Sequence, residues 1–249
     1  MAPSSVPDAE RPRPAFYALR TGGWRDYLTL LHPPYTAWHL SYVIVGGCIA
    51  PSVAWGRLGV TVLAFALALG VGAHALDELR GRPLQTKIRP AALIALAAAS
   101  VAASSALGIA VAISFSLWLL LFVAVGVFLV LAYNLELFGG SFHTDAWFGL
   151  AWGAFPVLTG FWACAGTLHV EAVAAAGWAT LLSLAQRRLS TSARHTRRDV
   201  VAVRGALELH DGSIEPIDRA HLVEAPEAAL RLLTASTILL AATVVALRV

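Results

Sequence analysis

Of the 249 residues, 58% are hydrophobic and 13% are charged, against roughly half and a quarter in soluble domains. So few polar residues exclude a water-soluble globule and predict an all-α polytopic membrane protein. The formal net charge of +3 rests on 18 basic residues; in such a chain they set topology, and nucleic acid is not an expected partner.

In chain order, residues 1–25 carry Pro, Arg and acids without an apolar stretch. They predict a disordered cytosolic tail rather than a cleavable signal peptide. Residues 26–249 predict a single transmembrane domain. Seven apolar segments follow, near 35–55, 58–77, 91–108, 113–133, 146–166, 170–188 and 227–247, each about the length that crosses a bilayer. Cys48 and Cys164 fall inside these runs, so no disulfide framework is expected. With the N-terminus in the cytoplasm, sixteen basic residues lie on that side and only Arg57 and Arg248 on the other. That bias predicts the inner membrane of a cell, with the C-terminus outside.

Small residues in "GVGA" (70–73) and "GLAWG" (149–153) predict close helix approach. Trp24, Trp38, Trp55, Trp147 and Trp178 lie near predicted span ends, as interfacial anchors do. Between the last two spans, residues 190–224 predict a cytosolic cap. Within it "VVAV" and "ALEL", with Asp211-Gly212, read as a hairpin with a type I′ turn. Pro226 suits the first turn of the last span.

The chemistry concentrates in "GVGAHALDELRGRPLQTKIRP", residues 70–90. His74, Asp77 and Glu78 stand at i, i+3 and i+4 on a predicted helix, where they share a side. Ionisable groups at a span end are functional candidates. Two carboxylates there are potential ligands of a divalent cation, and Arg80, Arg82 and Lys87 of an anion beside it. The competing reading is a plain water boundary with topology-setting cations.

Three stretches, "DYLTLLHPPYTAWHLSYVIVGGCIAP", "GVGAHALDELRGRPLQTKIRP" and "YNLELFGGSFHTDAWFGLAWGAFPVLTG", together resemble the UbiA superfamily of intramembrane prenyltransferases. "GRPLQTKI" (81–88) matches the stretch that opens that family's third span, "HALDE" (74–78) the first half of its Asp-rich motif, and Tyr133 its span-four tyrosine. Asp77 and Glu78 are alternative matches to one family aspartate. The third acid of the motif is replaced by Gly81 or Arg82, and the second Asp motif by "AQRRLSTSARHTRRDV", which has no carboxylate at the matching spacing.

The resemblance implies a UbiA-like bundle of about seven transmembrane helices that transfers a prenyl group from a prenyl diphosphate to a lipophilic acceptor. In this reading His74, Asp77 and Glu78 hold Mg²⁺, and Tyr133 faces the reacting carbons with Asp77 and Glu78. Arg80, Arg82 and Lys87 hold the diphosphate, joined by Arg187, Arg188 and Arg194; Arg197 and Arg198 are further cations of the same run. The alternatives on the same fold are a terpene cyclase and a non-catalytic isoprenoid- or partner-binding protein. Glu136, His143 and Asp145 are rim candidates, although Thr144 and Asp145 also read as a simple helix start.

Overall fold

The computed structural model describes residues 13–249. Among them are eight helices: α1 (Trp24–Leu30), α2 (Pro33–Cys48), α3 (Trp55–Leu79), α4 (Pro90–Ser114), α5 (Leu119–Asn134), α6 (Asp145–Ala165), α7 (Val170–Arg198) and α8 (Arg219–Ala246). Strands β1 (Ala206–Glu208) and β2 (Ile214–Pro216) form one small antiparallel sheet. Helices α3, α4, α6 and α8 are long and apolar enough to cross a membrane, and α5 is apolar but shorter. Their outward side chains, among them Ile113, Leu121, Leu232 and Leu239, are exposed aliphatics. A patch that large in water would drive association; in lipid it faces its own kind.

Every predicted span overlaps a helix, but several ends move, and of the seven only four coincide with helices long and apolar enough to cross a membrane. Helix α2 stops at Cys48, because Pro51 disfavours helical backbone just before it. The third segment runs on to Ser114 and the fourth begins at Leu119, with the chain turning between them. Pro226 does not open the last helix; it lies inside α8. That helix starts at Arg219, where the Asp218 carboxylate accepts from the His221 amide at 3.0 Å, a stronger start signal than proline. The hairpin is also displaced. "ALE" forms β1, but its partner is Ile214–Pro216, and "VVAV" is not a strand. Of the two turn residues only Gly212 has a positive φ, 81°, so the turn is not type I′. Asp211 accepts from the Ser213 amide at 2.9 Å instead.

Small residues bring helices into backbone contact. A Cβ on Gly160 would lie 2.2 Å from the Val43 carbonyl oxygen, and one on Gly46 2.1 Å from that of Val157. Thus α2 and α6 touch along their glycines. Gly153 packs α6 against α7 in the same way, 2.6 Å from the Ala179 oxygen. Polar groups then bridge the seams. His39 Nδ1 lies 2.8 Å from the Trp152 carbonyl. Trp38 is no interfacial anchor: it is fully buried and donates to the Tyr42 hydroxyl.

At the end of the bundle opposite His74, two arginines close helix ends. Arg57 donates to the Ala163 and Cys164 carbonyls, and Arg248 to those of Cys48 and Ala50. These satisfy carbonyls that have no intrahelical donor. At the His74 end, residues 13–23 are not a loose tail. Ala15 and Ala18 are buried against Leu84, and Asp26 accepts from the Gly22 and Lys87 amides at 2.8 Å each. The first twelve positions lie outside the described residues.

Candidate functional site

Helix α3 is not α-helical throughout. Residues Ala66–Ala73 form a π-helical stretch that runs straight into His74, and α6 carries another at Leu150–Ala154. Extra residues per turn re-aim the side chains that follow, which is why such stretches concentrate at functional sites. Ala68 and Leu69 from the first stretch, and Ala151 and Trp152 from the second, line one cleft between α3, α4, α5 and α6. The cleft holds about 90 Å³ and its lining is apolar apart from a few hydroxyls such as Thr61, Ser104 and Thr159. That is less than the roughly 300 Å³ at which ligand pockets begin. Phe65, Phe122, Trp152 and Phe155 supply the cleft's aromatic lining. Trp162 packs behind Phe122, Phe161 is buried elsewhere and Trp118 points outward.

Beyond the cleft's Trp152 wall lies the polar end of the bundle. Glu78 is fully buried there and turned into its own loop. One carboxylate oxygen accepts from the Leu84 amide at 2.9 Å, the other from the Thr86 amide and hydroxyl at 2.8 Å each. These bonds hold a strained turn, since Arg82 and Gln85 both take positive φ, 54° and 57°. Such conformations persist only when the surroundings over-determine them. Arg82 helps by donating to the Thr86 and Ile88 carbonyls. Arg80 reaches across to the Leu135 carbonyl and pairs with Glu136 at 2.9 Å. Lys87 is exposed, and its amide is the donor that Asp26 takes.

Asp77 has the opposite environment. It is half-buried, and no described residue donates a hydrogen bond to its carboxylate. It lies in the field of Arg194 and Arg198 from the end of α7, and of His143. His74 stacks on His32 with ring centroids 3.9 Å apart, its Nδ1 3.2 Å from the Gly70 carbonyl. His32 Nδ1 lies 2.8 Å from the Leu30 carbonyl. Burial first, and then the neighbouring His74 ring, hold His32 well below the ordinary imidazole range, so its ring is neutral.

Arg194 is half-buried, and its charge reaches Tyr17, His32, Tyr35, Tyr133 and Asp77. Burial, followed by the like charge of Arg194, lowers the pKa of Arg198 below its usual value. Two guanidiniums held together favour an added anion, and the nearby Asp77 carboxylate offsets part of their charge. Tyr133 accepts from Arg187, stands edge-on to Trp152 at 5.4 Å and stacks on His143 at 4.4 Å. Arg187 also pairs with Asp145 at 2.5 Å, while Arg188 is exposed. Thr144 caps α6 through the Trp147 amide.

Of the sequence candidates, the structure therefore brings together His74, Asp77, Tyr133, Arg187 and Arg194. Glu78, Arg80 and Arg82 are engaged within the loops, and Lys87 and Arg188 face outward. Tyr17, His32 and Tyr35 were not singled out by spacing. The only signal was the polar "HPPY" (32–35) at the mouth of an apolar span. Among the described residues no three His, Cys, Asp or Glu side chains are grouped to hold a metal ion. Comparison of the chain with family models, curated proteins and solved structures finds no match.

Proposed function

We propose that this is a multi-pass inner-membrane protein of UbiA-like type, N-terminus cytoplasmic, that transfers a prenyl group from a prenyl diphosphate to a lipophilic acceptor. One observation carries the reading: Asp77, to which no described residue donates, lies within the fields of Arg194 and Arg198 and of Tyr133, whose ring stands against the Trp152 wall of an apolar cleft. An amphipathic ligand with an anionic head and a greasy tail has the chemistry of both parts, and the cleft of about 90 Å³ has to widen to admit the tail. In this reading Arg194 and Arg198 hold diphosphate oxygens as charge-assisted donors. Tyr133, fixed by Arg187, and the edge of Trp152 stand between head and tail.

The donor set is compatible with Mg²⁺ only in its substrate-assisted form, in which one or two carboxylates and the phosphates share the ion. Asp77 is the residue that would hold it. Its oxygens are open, whereas both Glu78 oxygens are taken and His74 Nδ1 faces a carbonyl. A bound Mg²⁺ supplies charge neutralisation for the departing diphosphate.

A second reading, binding of an isoprenoid without turnover, is favoured by the single open carboxylate and the small cleft. One experiment separates them. The purified protein in vesicles is incubated with labelled prenyl diphosphates and Mg²⁺, and binding and diphosphate release are measured together. Transfer predicts release that falls on the order of 100-fold in Asp77→Asn, the scale of a lost electrostatic contact to the reacting group. Binding with no release supports the second reading. Release untouched by Asp77→Asn removes the site assignment.

A further inference from the structure

Residues 13–19 lie across the polar site, and the donors they engage belong to the arginine cluster. Arg198 Nε donates to the Pro14 carbonyl at 3.2 Å, and Arg197 Nη1 to that of Arg13 at 3.5 Å. Tyr17 inserts between His32 and Tyr35, with ring centroids 5.4 Å from each. Its phenol is raised well above the usual value, by burial first, and it lies in the fields of Arg194, Arg198 and Asp77. Phe16 stands edge-on to Tyr35 and under the Arg231 guanidinium, 5.1 Å from the ring centre.

Few hydrogen bonds hold this segment besides those to the arginines: Ala18 donates to the Ala15 carbonyl and Leu19 to the Thr29 hydroxyl. The segment has no helical or strand hydrogen bonding. Backbone carbonyls on guanidinium donors are weaker partners than phosphate oxygens. At its base Gly22 and Gly23 take φ of 121° and 61°, with nothing within 4 Å of where a side chain would go. Two such glycines make a hinge that few other residues could form. Beyond them Asp26, bonded to Gly22 and Lys87, anchors the chain.

We propose that residues 13–19 are a strap occupying the diphosphate end of the site, and that a phosphate-bearing ligand enters by displacing it about Gly22-Gly23. This rests on the site reading above. The strap competes with the ligand twice: the Pro14 carbonyl takes the Arg198 donor, and Tyr17, within the field of Arg194, packs against His32 and Tyr35 where the ligand's head would sit. Ligand entry exchanges these contacts for phosphate oxygens and releases Ala15 and Ala18 from their seat on Leu84.

The test uses the full chain with Ala18→Cys, since Ala18 is 1% exposed and the native Cys48 and Cys164 are buried. Reaction with a hydrophilic maleimide is followed in phospholipid-free detergent with inorganic pyrophosphate, and separately in phosphatidylglycerol vesicles without it. Binding is measured in parallel, on wild type and on Tyr17→Ala. At ten times its dissociation constant for the open form, a ligand that binds only that form raises a minor open population, and the labelling rate, about tenfold. Acceleration by pyrophosphate assigns the strap to a free diphosphate; acceleration only in the vesicles assigns it to lipid headgroups. Tyr17→Ala is expected to bind pyrophosphate several-fold more tightly. Pyrophosphate that binds without speeding the labelling, or more weakly after Tyr17→Ala, overturns the strap and leaves the site reading intact. No pyrophosphate binding by wild type or Tyr17→Ala, with no acceleration in the vesicles, removes both.

Discussion

Two connections at the same end of the bundle treat their charges in opposite ways. The loop after α3 consumes the charges nearest the helix: Glu78, Arg80 and Arg82 each bond to backbone or to a neighbouring loop. The end of α7 leaves Arg194 and Arg198 without a carboxylate partner among the described residues: Arg198 donates only to the Pro14 carbonyl and Arg194 to the Thr191 hydroxyl, and the charge of both reaches Asp77. The difference teaches that a dense charge motif can be mostly scaffold, with function left to whichever groups the scaffold does not consume. Arg197 shows that α7 obeys the same rule in part. It pairs with Glu227 of α8, which is almost wholly buried.

The sharpest way to break this contrast is Glu78→Ala. It leaves the Leu84 amide and the Thr86 amide and hydroxyl buried without an acceptor, a loss of about 4 kcal/mol at ordinary costs for such groups. Thermal unfolding in detergent should show a large drop, whereas Asp77→Ala, which strands no donor, should unfold near wild type. Equal drops would erase the distinction. Next comes Glu227→Ala, which leaves Arg197 in a mostly buried setting without its carboxylate. Breaking such a pair costs about 3 kcal/mol, read in the same assay, with the ligand site at α7 loosened as well.

Acidification probes the region where the two connections meet. The folded-state pKa of His32 lies well below its ordinary 6.5. Above 6.5 neither state takes up a proton there and the term is absent. As pH falls below 6.5 the unfolded chain binds a proton that the folded chain refuses. Stability should then drop by about 1.4 kcal/mol per pH unit until the folded value is reached. Unfolding measured between pH 7.5 and 5 should show a slope that is shallower in His32→Asn than in wild type by about this amount. The smallest effect is expected from Arg82→Ala, about 1 kcal/mol for hydrogen bonds that water partly replaces. Arg194→Ala should change unfolding no more than that, yet weaken pyrophosphate binding.

Much of this was readable from the amino-acid order. Long apolar segments demanded helices, and the arginine bias marked one end of the bundle as different from the other. The stretch 70–90 shows in the sequence itself that acids and bases gather at one span end. The division of labour within it was not readable. His74, Asp77 and Glu78 share one helix side by spacing, but consecutive residues on a helix point about 100° apart. That angle is enough to send Glu78 into the following loop and leave Asp77 facing α7. A strained turn at Arg82 and Gln85, invisible in composition, claims the first.

What the chain order determined by itself was the solvent each segment prefers and the side on which its cations gather, because both follow from local hydrophobicity and charge. What only the tertiary structure decided was which polar groups are satisfied and which are left open. That depends on neighbours distant in sequence: Thr86 for Glu78, α7 for Asp77, and residues 13–19 laid over the site, where an apparently formless tail finds buried partners in Leu84 and His32.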